Sequence, residues 1–273
     1  MISKPILFRP AALIGAAALF TLAAAPALAQ EEGSRGWTVS AGAGAQTYVR
    51  YPGADSNKIG PLFLFNLRRQ GTRRSYGALD DSIGPRILGS DSMFNFGPAV
   101  RVQEKRREED VGAAVGDVSR TFEAGGFVEI YPISNLRLRA ELRKGLGGHD
   151  GLVGHIGADL IARDESTYIF AIGPRVRWAD NDYHEAYFGV TPAVSAATGL
   201  AAFNPRSGVY AVGAQANFTY KLGSSWGIQG YAGYDRMVGD ASDSPIVRTF
   251  GSRDQFSGGA GLFFEFNVGG HRR

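Results

Sequence analysis

The chain contains no cysteine. A disulfide framework, a thiolate zinc site and a cysteine nucleophile are therefore excluded. It also lacks, beyond its first thirty residues, any run of 18 consecutive apolar residues, so a bundle of membrane-spanning helices is excluded as well. The Gly-x-Ser-x-Gly match, Gly223-Ser-Ser-Trp-Gly227, falls in a turn between two strand patterns rather than on the strand-to-helix elbow that an α/β serine hydrolase needs. Charge of one sign is missing too: 29 Lys and Arg stand against 26 Asp and Glu. That balance gives no electrostatic reason to expect a nucleic-acid partner.

The long apolar run that is present lies at the start. Lys4 and Arg9 precede the run from Ala11 to Leu22, and Ala27-Leu28-Ala29 precedes Gln30. A basic region, a short apolar core and an Ala-x-Ala site predict an export signal at 1–29, cleaved after Ala29. The run is shorter than the ~20 residues of a spanning helix, which argues against an anchor. Removing it takes two cations and no acid, so the formal charge of +3 falls to +1. Residues 30–273 are expected to form one domain.

Glycine is abundant, with 38 residues against a usual share of about 7%. Each interior glycine costs a helix about 1 kcal/mol, so this composition suits a wall of strands. The most informative stretch is Leu136-Arg-Leu-Arg-Ala-Glu-Leu-Arg143, with apolar residues at even positions and charges at odd ones. In a strand this puts hydrocarbon on one face and three arginines with a glutamate on the other. Strand patterns recur at 37–48, 61–69, 72–79, 82–88, 93–103, 121–131, 135–144, 152–163, 167–178, 183–190, 209–222, 226–237 and 255–266.

Three features predict that the apolar faces look outward to lipid. Trp37, Tyr131, Tyr168, Trp178, Tyr220, Trp226 and Phe266 sit near strand ends on those faces, as in interfacial girdles. The opposite faces combine glycine with charge. Many strands reach ten residues, enough to span when tilted. Short turns alternate with long polar segments at 104–120, 191–208 and 238–254. The expected fold is an all-β, antiparallel transmembrane barrel of the outer-membrane type, with about twelve strands and ten as the alternative.

The inward faces supply the candidate site: Arg101, Glu123, Glu129, Arg137, Arg139, Glu141, Arg143, Arg163, Arg175 and Arg177, with Asp159 and His155 beside them. A ring of arginines would select anions. A barrel narrower than 16 to 18 strands leaves little aqueous channel, however, and buried charges require partners. A mostly plugged lumen of Arg–Glu and Arg–Asp pairs is the favoured expectation. His149-Asp150 is read as part of a glycine-rich turn rather than an acid–base pair. Asp180, Asp182 and His184 are read as a polar loop tip rather than a cation site. No catalytic residue, metal site or cofactor is expected.

Gly36-Trp-Thr-Val-Ser, Tyr51-Pro-Gly53, Gly145-Leu-Gly-Gly-His-Asp-Gly151, Gly173-Pro-Arg-Val-Arg-Trp-Ala-Asp180, Tyr187-Phe-Gly-Val-Thr-Pro192 and Gly239-Asp-Ala-Ser-Asp-Ser-Pro-Ile-Val247 follow one another in order. This set resembles the MipA/OmpV family, the MltA-interacting outer-membrane proteins, over nearly the whole mature chain. The resemblance implies a bacterial outer-membrane protein without a catalytic site. It also implies a scaffold joining a lytic transglycosylase to a bifunctional murein synthase in peptidoglycan remodelling. Other members of the family are described as porin-like, and a channel for small solutes, anions among them, is the alternative reading. It carries no functional residues over. Phe266 fits the terminal aromatic of such barrels, but seven residues follow it.

Overall fold

The computed structural model describes residues 36–89, 92–164 and 167–269, all within one compact unit, Arg35–Arg273. The predicted leader lies outside the described residues. Ten strands are present: β1 (Trp37–Val49), β2 (Asn57–Arg69), β3 (Phe94–Gln103), β4 (Thr121–Ile133), β5 (Leu136–Leu146), β6 (Leu152–Arg163), β7 (Tyr168–Ala179), β8 (Gly208–Lys221), β9 (Trp226–Met237) and β10 (Asp254–Val268). They form one antiparallel sheet in the order β2-β1-β10-β9-β8-β7-β6-β5-β4-β3. The first and last strands are zipped together, from Trp37 opposite Val268 to Thr47 opposite Gly258. The last strand thus continues past Phe266 to Val268.

The count is ten rather than twelve because three sequence patterns do something other than add wall strands. Residues 72–79 and 82–88 turn into the concave side of the sheet, as a strap between β2 and β3. Its contacts show the curl: Ser82 bonds Glu141 on β5, Tyr76 bonds Asp159 on β6, Leu79 bonds Asn217 on β8 and Arg74 bonds Gln229 on β9. One segment of fewer than twenty residues can touch strands across that order only if the sheet wraps around it. Beyond Ser82 the strap runs along the edge of β3, where Ile83 and Val100 exchange backbone bonds of 2.9 Å. The sheet's edges β2 and β3 are not hydrogen-bonded to each other, so a seam separates them. The third pattern, 183–190, is largely helix: α2 spans Asn181–Phe188 and begins at Asp180, whose carboxylate accepts from the Tyr183 amide at 3.2 Å. An aspartate N-cap satisfies an amide that helix geometry leaves open.

Side-chain exposure fixes the inside and outside. Along β5, Leu138, Leu142 and Leu146 are 40%, 52% and 55% exposed, whereas Arg137, Arg139, Glu141 and Arg143 are all buried. Hydrocarbon outside and ions inside would be unstable in water and suits a bilayer, as in outer-membrane barrels. No helix of the described residues is long and apolar enough to cross a membrane. One end carries the short turns and an outward belt of Trp37, Tyr168, Tyr220, Trp226, Phe264 and Phe266. Tyr131, expected in such a belt, instead faces inward and packs with Tyr76, Ala78, Ile161 and Ala171. The reason is parity: Glu129 is inside, so its second neighbour along the strand is too.

The opposite end carries α1 (Glu108–Val111), α2, α3 (Pro192–Thr198), α4 (Gly239–Asp243) and α5 (Pro245–Phe250). An apolar cluster built around Tyr183, Tyr187, Phe188, Tyr210, Met237 and Val247 caps the barrel there. Buried Arg106 laces this cap by donating to the carbonyls of Tyr187 (2.8 Å), Val115 (3.3 Å) and Gly116 (3.0 Å).

Candidate functional site

Among the described residues, the largest gathering of charged side chains from different strands is in the lumen. Arg137, wholly buried, donates to Glu129 at 3.0 Å, to Asp159 at 3.0 Å and to Asp81 at 2.6 Å. Asp159 accepts from Arg175 at 2.7 Å, and Arg175 reaches on to Asp80 at 2.8 Å. On the other side, Arg139 links Glu129 (3.2 Å) to Glu141 (2.7 Å) and lies 3.6 Å over the Phe127 ring. Arg143 links Glu141 to Glu123, the latter at 2.8 Å. Arg86 of the strap closes on Glu129. Arg177 donates to Asp235 at 2.9 Å, and Arg101 donates to the Asp80 carbonyl.

Six guanidiniums, of arginines 86, 137, 139, 143, 175 and 177, thus pair with seven carboxylates, of Asp80, Asp81, Glu123, Glu129, Glu141, Asp159 and Asp235, and Arg101 joins them through the Asp80 carbonyl as the seventh cation. The lattice is neutral as a whole. Removing an ion from water costs several kcal/mol, and only close partners with hydrogen-bond geometry offset that. Here each carboxylate of the strap and strands meets a charged donor.

Of the inward residues picked from the sequence, Arg101, Glu123, Glu129, Arg137, Arg139, Glu141, Arg143, Arg175 and Arg177 enter this lattice. Arg163 does not. It stands at the end of β6 and donates to the Ser134 carbonyl at 2.9 Å, bracing the β4–β5 turn. Three members lie in the strap, and sequence periodicity had no reason to put them inside: Asp80, Asp81 and Arg86. Their signal is the Asp80-Asp81 doublet in a pattern too short to span. Asp235 was also missed, although it occupies the polar position of an alternating strand, Gly233-Tyr-Asp-Arg-Met237.

The other candidates resolve into local structure. His149 is buried; its Nδ1 accepts from the Gly151 amide at 3.1 Å and its Nε2 lies 3.2 Å from Glu123. Asp150 turns the other way, at φ 45°, and accepts from the Gly147 amide at 2.9 Å. The two side chains do not meet as an acid–base pair. His155 stands 3.6 Å from Asp80 within the lattice. Asp180 caps α2, also accepting from the Leu152 amide at 2.7 Å, while Asp182 points to solvent. His184 is buried, and its Nδ1 donates to the Asp180 carbonyl at 2.8 Å. Burial pushes the His184 imidazole below its usual range, against a smaller upward pull from that bond. Among the described residues no three such side chains are placed to hold a metal ion.

A second, smaller group of charges lies at the short-turn mouth. Glu265 accepts from Arg68 at 2.5 Å, from Lys221 at 3.0 Å and from the Ser40 hydroxyl at 3.0 Å. Arg74 approaches it to 3.8 Å.

Among solved structures, the fold is similar to an outer-membrane channel from Pseudomonas putida F1 at 10% identity, covering 85% of this chain and 96% of that one with a TM-score of 0.42. The outer-membrane protein OprG from Pseudomonas aeruginosa is also similar, at 10% identity over 85% of this chain and 97% of that one, with a TM-score of 0.25. In sequence, the chain is 31% identical over 75 residues to proteins named MltA-interacting protein in Escherichia coli K12 and Shigella flexneri. The match covers 28% of this chain and 30% of the length of those relatives. The family described as MltA-interacting protein MipA matches residues 41–266, most of the ten-stranded wall with its lumen and cap. With apolar side chains outward and ion pairs inward, this is a bacterial outer-membrane β-barrel protein, and it belongs to the MltA-interacting protein MipA family.

Proposed function

We propose that this protein is a non-enzymatic scaffold of the outer membrane that holds a murein-cleaving lytic transglycosylase at its periplasmic, short-turn face. A bifunctional murein synthase is the second proposed partner. The observation that carries this reading is the filled lumen. A neutral lattice of ion pairs and an inward strap occupy the space that a solute would cross, so the barrel works as a rigid platform. The names of the enterobacterial relatives, MltA-interacting protein, supply the partner class. The surface offered to the periplasm comprises the β4–β5, β6–β7 and β8–β9 turns with the ends of β1 and β10.

Two measurements test the proposal together. Reconstituted in a planar bilayer, the protein is expected to carry no steady current, and from solubilised outer membranes it is expected to co-purify with a lytic transglycosylase. A steady anion-selective current without that partner would replace the scaffold with a channel. Murein or lipid hydrolysis by the purified protein, abolished by His149→Ala, would replace it with an enzyme.

A further inference from the structure

The two buried charge groups differ in balance. The main lattice is neutral. Among the described residues at the short-turn mouth, Arg68, Arg74 and Lys221 share one carboxylate, that of Glu265. These cations are 16%, 13% and 27% exposed, so water screens them only partly. Two of their N–H groups, at Arg68 Nε and Arg74 Nη1, are buried with no hydrogen-bond acceptor. Arg74 is nevertheless held in place, by Gln229 at 3.3 Å and by the Phe263 ring at 4.7 Å. Beside them is a recess of about 470 Å³, with Arg73 and Thr72 of the strap on one wall and Lys221 and Thr219 on another. Among the described residues lining it, the carboxylate present is Asp164.

A buried excess of positive charge with unmet donors is costly unless an anion supplies the missing acceptors. Guanidinium forks match the paired oxygens of carboxylate and phosphate. We infer that this recess is an oxyanion site, taking a carboxylate or phosphate group, free or borne on a small molecule, that enters from the short-turn face. Its volume falls in the range of small-molecule pockets and exceeds what one ion fills. The site is independent of the scaffold reading: it stands or falls by binding alone.

The test is isothermal titration of the full-length protein in neutral detergent at low salt, with inorganic phosphate and with succinate. Saturable one-to-one binding of at least one of them is expected, and whichever binds assigns the group. Arg74→Gln is expected to weaken it at least tenfold. Glu265→Gln, which removes the competing carboxylate, is expected to tighten it. Should either variant lose the heat-modifiable gel shift of a folded barrel, Arg73→Gln and Asp164→Asn replace them with the same two directions. No saturable binding of either anion, or an affinity that ignores both variants, overturns the site.

Discussion

At the scale of single residues, the deciding quantity is which medium each side chain meets. Leu138 and Arg137 are neighbours, and each would be misplaced where the other stands. Leu138→Arg is expected to cost about 2–4 kcal/mol in a lipid-refolding urea titration, the depth-dependent penalty for a charge on a lipid face. Arg137→Leu is expected to cost about 3–5 kcal/mol, because it strands Glu129, Asp81 and Asp159 together without their shared counter-ion. Adding Asp159→Asn to that variant is expected to recover part of the loss, which a double-mutant cycle measures. A near-zero cost for Leu138→Arg would mean that this face does not look at lipid.

At the scale of elements, α2 and the strap define what the barrel holds at its two ends. Asp180→Ala removes the cap of α2 and the acceptor of the Leu152 amide, so the loop cap is expected to lose about 1 kcal/mol. Its hydrogen exchange reports the change. His184 makes the same helix pH-sensitive. Its imidazole is depressed in the folded state, so its contribution is fully present above the ordinary histidine value of about 6.5 and declines as pH falls below it. Faster exchange in residues 181–188 at pH 5 than at pH 7.5 is expected, and His184→Gln is expected to flatten that dependence.

These same elements mark where the sequence could and could not be read. The strands from 121 to 179 were legible because both faces are strongly marked: leucine and isoleucine against arginine and glutamate, with one turn residue pair or a glycine run between them. The segment 183–190 misled because Tyr183, Tyr187 and Phe188 are aromatic and strand-prone, while the helical spacing of Tyr183 with Tyr187 and of His184 with Phe188 was the better guide. The strap misled for a different reason. Its short runs around Tyr76, Leu79, Ile83 and Ile87, set between glycine, aspartate and proline, read as brief strands, and the preference of Asp80 and Asp81 for buried arginines is a tertiary fact no local window contains. The inward lattice on the strands followed from parity, but its neutrality depends on the strap and on Asp235, which periodicity alone did not place.

At the scale of the whole molecule, the strap is what separates a plugged barrel from a pore. Asp80→Asn with Asp81→Asn leaves Arg175 and Arg137 each short of a carboxylate. The strap is then expected to loosen and the reconstituted protein to show intermittent openings in a planar bilayer, where the parent shows none. A silent double variant would mean that the wall itself, and not the strap, blocks the lumen.

The β1–β10 ladder has a bearing on biogenesis. Ser40 meets Glu265, 225 positions further along the polypeptide. A contact that remote cannot begin until the ribosome has made nearly everything, and topologies dominated by such pairings are slow to complete. Through that interval the isoleucines and phenylalanines meant for acyl chains stand bare in the aqueous compartment, where unshielded strands aggregate. A chain built this way is served by a holding chaperone on its route to the outer membrane, and the fifteen residues of β10 are the ones whose pairing ends the exposure.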